Sequence, residues 1–422
     1  MTANTLHRLR HSDFLRHNFI FFVGSVVVGV LNYLYYPVMG RLLAPAAFGE
    51  VQTLISLFLQ VTIFLMVLGL VTINIVANYS SEEKRDAVVR EFEHLALVIS
   101  VGLLLLTIVF QRVLQRFLQF DAAWPFILLM LGLVASVPLT FRGAFLRGKK
   151  RFGLASGVNI ISAGGKILFS VVLVALGGGT AGAIGGLVAA QVVSCIFAAS
   201  WAYQNGLSKP AGQGFLRMPD LRLLRPELPY GLLVLVGSLL VTMQYSVDIV
   251  VVKHFFDPHT AGLYAGVASV ARILFFLTAS VSLVLMPLVK INAAPGANQR
   301  LLKKSLALLG MAGLPVLALF IVMPERIVTL LMGNDYKSVA YLLPALSVAI
   351  FTVSVVNLIV SYYLALRRYA LVPIIIIGAA VTYGLLAAHH DTLRAVVNNL
   401  LMGSITMLVI LLAASRSFKA GS

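Results

Sequence analysis

Residues Gln244–Lys290 read QYSVDIVVVKHFFDPHTAGLYAGVASVARILFFLTASVSLVLMPLVK. Two apolar runs flank a short polar break, Lys253–Thr260. Each run can cross a bilayer as a helix, which takes about 20 residues. The first carries Asp248 and the second Arg272. A charge in hydrocarbon costs about 2.5–3.5 kcal/mol on insertion scales, so such residues face a protein interior or a water-filled path. An acid and a base on adjacent spans predict a polar cavity inside a helical bundle. The plainer alternative is a structural ion pair with no part in transport.

Composition sets the same frame. Apolar residues make up 60% of the 422-residue chain and charged residues 11%; mean hydropathy is +0.97. A soluble domain is about a quarter charged. The single cysteine, Cys195, rules out a disulfide framework and a cysteine metal site. The eight histidines contain no HExxH pattern, and His389 and His390 are sequential, a poor metal site by themselves. Gly177-Gly-Gly-Thr180 lacks the lysine of a phosphate loop. No metal, cofactor or enzymatic activity is expected.

The apolar pattern predicts an all-α, polytopic membrane protein of about twelve transmembrane helices. The spans fall near 18–39, 50–77, 95–110, 124–146, 152–176 and 181–203, then 227–252, 261–289, 305–323, 338–365, 370–388 and 395–414. Residues 80–94 read as a charged connector and 324–337 as the longest loop on the opposite side. Residues 1–206 form an N-terminal six-helix half, 207–226 a linker and 227–422 a C-terminal six-helix half. With both termini on one side, that side holds 23 of the 32 Lys and Arg residues and the opposite loops 7. Positive residues stay cytoplasmic, so both termini are expected there. The net charge of +17 is mostly this topology signal. Anionic lipid headgroups suit it as a partner, and nothing calls for nucleic acid.

That topology leaves Lys166 and Arg272 as the cations inside the membrane. Asn159, Ser162, Lys166 and Ser170 are spaced three, four and four, a polar stripe on one helix face. Gln191 and Gln244 add amides to other spans. Lys166 and Arg272 are suited to an anionic group, with arginine able to grip phosphate oxygens bidentately. Asn159, Ser162, Gln191 and Gln244 can bond sugar hydroxyls, or merely join helices. Asp248 is expected to pair with Arg272 or to hold a coupling ion.

The halves echo each other. Arg41-Leu-Leu-Ala-Pro45-Ala-Ala-Phe-Gly49 aligns with His254-Phe-Phe-Asp-Pro258-His-Thr-Ala-Gly262. Pro and Gly are four apart in both, at equivalent places in the topology. Two parallel repeats related by an axis along the membrane normal are predicted, around a central cavity.

These residues also carry a family resemblance. The segment Arg41–Gly49 resembles the first loop of polysaccharide flippases. Asp248-Ile-Val-Val-Val-Lys253, followed by Ala261-Gly-Leu-Tyr-Ala265 and Met286-Pro287, is similar to the same family. That family belongs to the multidrug/oligosaccharidyl-lipid/polysaccharide exporter superfamily. The resemblance implies a flippase for O-antigen or exopolysaccharide precursors in the bacterial inner membrane. It would move polyprenyl-pyrophosphate-linked oligosaccharide to the outer leaflet by alternating access. A polysaccharide polymerase and other membrane proteins of the pathway are the implied partners.

Three rival functions frame the reading. A multidrug and toxin extrusion antiporter would offer acids to an organic cation, whereas this interior holds two cations and one acid. A membrane glycosyltransferase would need acids or histidines on a sizeable loop. Residues 324–337 hold only Glu325 and Asp335, ten apart. A scaffold without transport would fail a flux assay.

Overall fold

The computed structural model describes residues 24–79, 81–207, 228–289, 296–366, 368 and 371–420. The basic N-terminus, the start of the first span, the linker after Leu207 and Lys290 lie outside the described residues.

Every regular element among the described residues is a helix. In chain order they are α1 (24–42), α2 (Pro45–Asn78), α3 (Glu82–Phe117), α4 (Trp124–Gly148), α5 (Phe152–Leu173), α6 (Gly179–Gln204) and α7 (Leu228–Phe255). Then come α8 (Pro258–Ala271), α9 (Ile273–Leu288), α10 (Ala297–Val322), α11 (Pro324–Met332), α12 (Leu343–Ala365), α13 (Leu371–Ala388) and α14 (Leu393–Ala420). Among the described residues, nine helical stretches are long and apolar enough to cross a membrane. One of them, Phe152–Gln204, has 53 residues, about twice what one crossing takes. The protein is a polytopic, all-helical membrane protein.

Two stretches differ from the sequence expectation. The charged connector is helical from Glu82 onward. Ser81 stands before α3, its Oγ accepting from the Lys84 N–H at 3.4 Å, and Glu82 and Glu83 occupy the first turn. An N-terminal serine and early acids stabilise a helix start. The run's charges satisfy one another. Buried Arg85 donates to Asp86 at 2.7 Å, to Glu82 at 3.1 Å and to the Gly206 carbonyl at 3.3 Å. The loop read at 324–337 likewise holds α11 and the start of a 3-10 helix, Asn334–Leu342.

The chain groups into two compact units. The first comprises residues 1–35, 64–112 and 123–228. Its core includes Phe92, Leu133, Phe141, Phe145 and Ile184. Here α5 and α6 pack backbone to backbone. A Cβ on Gly186 would stand 2.2 Å from the Ser170 N, and one on Gly182 would stand 2.8 Å from the Leu173 carbonyl oxygen. The chain turns between them through one π turn, Val174–Gly178, with φ of +89° at Gly177, a value suited to glycine. Ser170 seals the pair by donating to the Ala183 carbonyl at 2.8 Å.

The second unit comprises residues 36–63, 113–122 and 229–422. Its core joins α12 to α13 and α14 through Leu358, Ile359, Tyr362, Ile375, Met407 and Leu411. It also contains both copies of the Pro-x-x-x-Gly repeat, and these touch. A Cβ on Gly49 would lie 2.8 Å from the Gly262 Cα. One on Gly262 would lie 1.8 Å from the Pro45 carbonyl oxygen. The first turns of α2 and α8 therefore cross with no side chain between them, the close approach that small residues permit in membrane helices.

Candidate functional site

In the first unit, α5 carries Lys166. Its ammonium donates to Asn32 Oδ1 of α1 at 2.8 Å and lies 4.6 Å from the Tyr35 ring centroid. Tyr35 is fixed in turn by donating its hydroxyl to the Ala183 carbonyl at 3.3 Å. Among the described residues no carboxylate pairs with Lys166. Its side chain is half-buried, so the three donors of a lysine are not all taken up by the helices around it.

The stripe expected on α5 divides along its length. Asn159 is exposed, Ser162 and Lys166 are half-buried, and Ser170 is buried in its bond to α6. The Asn159–Ser162–Lys166 section stays reachable, while Ser170 serves packing. On α6, Gln191 Oε1 is buried without a hydrogen-bond partner among the described residues. It would lie 3.1 Å from a Cβ on Gly132 of α4.

In the second unit, Asp248 is 0% exposed and Arg272 6% exposed. Arg272 Nη2 donates to Asp248 Oδ1 at 2.6 Å, and its Nε donates to the Tyr245 carbonyl at 2.8 Å. The Tyr264 hydroxyl donates to the other Asp248 oxygen at 2.8 Å. Arg272 sits where α8 ends and α9 begins. The break lets one side chain reach back to α7, and the acid is held from both oxygens. Gln244, one turn earlier on α7, is buried and donates to Met407 Sδ of α14 at 3.6 Å. Its Oε1 has no partner among the described residues.

Several residues of these sites escape a sequence reading. Asn32 reads only as a residue that permits close helix packing and Tyr35 as part of an apolar run, and their partner Lys166 is 134 residues from Asn32. Tyr264 and Tyr245 lie within the stretch that decides the fold, but only helix packing selects their contacts. Lys253 differs from expectation. Read as part of a loop, it lies in the last turn of α7 and is 1% exposed. Lys253 is thus a further enclosed cation, beside Lys166 and Arg272, that the sequence reading placed outside the membrane helices. No group of three or more His, Cys, Asp or Glu suited to a metal occurs among the described residues.

No curated protein sequence matches the chain. Solved structures of similar fold include an inward-facing multidrug-resistance MATE transporter of the MOP superfamily. It has 14% identity and a TM-score of 0.73, covering 94% of this chain and 95% of that one. The lipid II flippase MurJ in its inward closed conformation has 12% identity and a TM-score of 0.74, covering 94% and 87%. A MOP superfamily transporter from Pyrococcus furiosus, described as having a binding pocket of reversed polarity, has 16% identity and a TM-score of 0.61, covering 95% and 93%. At these identities the likeness is one of fold, the fold of MOP superfamily transporters. Over residues 38–341 the sequence matches the family described as polysaccharide biosynthesis protein, and with that span, well over half of its length, the chain belongs to this family.

Proposed function

We propose that the protein flips polyprenyl-pyrophosphate-linked oligosaccharide across a bacterial inner membrane by alternating access, with both termini cytoplasmic. The observation that carries the reading is Lys166, a half-buried cation within a membrane helix whose partners are the neutral Asn32 and Tyr35. A cation so placed attracts an anion and repels an organic cation. Pyrophosphate supplies the anion, and the lipid tail stays in the bilayer while the glycan crosses. Asn159 and Ser162, on the Lys166 face of α5, are suited to sugar hydroxyls; Gln191 and Gln244 carry amide oxygens that have no hydrogen-bond partner among the described residues and are suited to accept from such hydroxyls. Arg272 serves mainly by holding Asp248, because that pair consumes both charges. Membership of a polysaccharide biosynthesis family supports a glycan substrate.

Drug antiport is the second reading, favoured by the fold shared with MATE transporters. One experiment separates the two. The chain is reconstituted in liposomes, and flux of a fluorescent polyprenyl-linked sugar is measured beside efflux of an organic cation. Sugar flux that falls in Lys166→Ala and partly returns in Lys166→Arg supports the flippase. Parental cation efflux without sugar flux would replace it with the antiporter.

A further inference from the structure

Lys253 presents an energetic problem that the transport reading does not use. It is 1% exposed, and its ammonium has no hydrogen-bond partner among the described residues. Its near neighbour is the Phe120 ring, 5.1 Å from the charge. An enclosed cation is costly unless opposite charge compensates it. Three carboxylates lie within electrostatic reach: Glu50, Asp121 and Asp257.

These acids come from separate segments. Glu50 lies in the first turns of α2, directly after Gly49, and is buried. Its Oε1 accepts the Asp121 backbone N–H at 3.1 Å, which fixes the turn between α3 and α4. Asp257 caps α8, accepting the N–H groups of Thr260 and His259 at 3.0 and 3.1 Å. Hydrogen bonds from Thr260, side chain and backbone, hold this carboxyl below the usual aspartate range, so it stays ionised. The nearby imidazoles are otherwise engaged or exposed. His254 Nδ1 is 2.6 Å from the Phe117 carbonyl, His259 is exposed, and His390 stacks on Phe255.

Beside this cluster, α2 and α8 approach backbone to backbone at Gly49 and Gly262. At these two glycines the contact is between backbones, while Phe48 and the buried residues of α8 pack around it, so charge at the edge of the crossing can bias whether it stays closed. We propose that Lys253 and Glu50 form an electrostatic latch that holds the α2–α8 crossing shut, and that the crossing opens when their charges separate. The physical logic is bistability. Closed, the ammonium gains Coulomb attraction and forgoes hydrogen bonds; open, it is hydrated and loses the acids. A device that cycles requires that neither state win by a wide margin. The inference goes beyond the proposed substrate and does not depend on it.

The test is amide hydrogen exchange on the full chain in lipid nanodiscs, which requires no flux. The readout is the first turns of α2 and α8, residues 45–50 and 258–264, with the α5–α6 pair as internal reference. Lys253→Met keeps the stem and removes the charge. It should speed exchange in both turns at least about fivefold, the lower end of ordinary coupling free energies. Lys253→Arg should stay near the parent. Glu50→Gln, a neutral isostere that places no gap, should speed the same two turns. Unchanged or slower exchange in Lys253→Met would overturn the latch, slower being the result if the buried charge were only a burden. Acceleration that extends equally to α5 and α6 would overturn it too, because it reports general loosening.

Discussion

Arg272 Nη2 and Asp248 Oδ1 are 2.6 Å apart, and both side chains are sealed from solvent. Their union removes the only acid placed among the interior cations by the sequence reading. Removing one member leaves an uncompensated buried charge, which costs about 3–5 kcal/mol. Arg272→Met and Asp248→Leu should each sharply lower the thermal midpoint of the detergent-solubilised protein. The double variant should recover most of the loss. If the double variant is as unstable as the sum of the singles, the pair is not a closed unit.

Asn32 positions Lys166 through one hydrogen bond between α1 and α5. Interhelical bonds of this kind are worth about 0.6 kcal/mol on average, so Asn32→Ala should fold normally and lose flux of lipid-linked sugar modestly. Asn32→Asp should lose more, because it gives Lys166 a carboxylate partner, which none of the described residues supplies. Equal flux in the two variants would show that the free charge of Lys166 is irrelevant to transport.

Close glycines are expected to behave differently from open ones. A Cβ on Gly186 meets the Ser170 backbone at 2.2 Å, whereas one on Gly164 of the neighbouring α5 meets nothing within 4 Å. Overpacking costs about 1–3 kcal/mol. Gly186→Ala should reduce folded yield and thermal midpoint, and Gly164→Ala should leave both unchanged or slightly improved. The pair is compared by size-exclusion profile after heating.

The orientation follows from charge and is open to labelling. In a Cys195→Ser background, a cysteine replacing Arg151, which is exposed after α4, should react only from the cytoplasmic face. One replacing Asn334, exposed at the start of the 3-10 helix, should react from outside. Membrane-impermeant maleimide on whole cells reads both, and outside reaction at residue 151 would invert the topology.

The sequence alone carried the fold class. Apolar runs of bilayer length are local properties, since hydrocarbon requires every backbone group to be satisfied within its own helix. The Pro-x-x-x-Gly repeat was legible for the same reason, as was the polar stripe of α5, which follows from helical periodicity. Where charges ended was not legible. Lys166, Lys253 and Arg272 are each a basic residue in or beside an apolar run, yet one meets neutral partners, one meets distant carboxylates and one meets a matched acid. Nor did the sequence reveal that Gly49 and Gly262, 213 positions apart in it, touch through their backbones. The charged run after Ser81 read as a loop because its polarity is high. It is a helix because Arg85 and Asp86 are buried against each other. Hydropathy measures what a residue costs by itself, and only tertiary packing decides which partner offsets that cost.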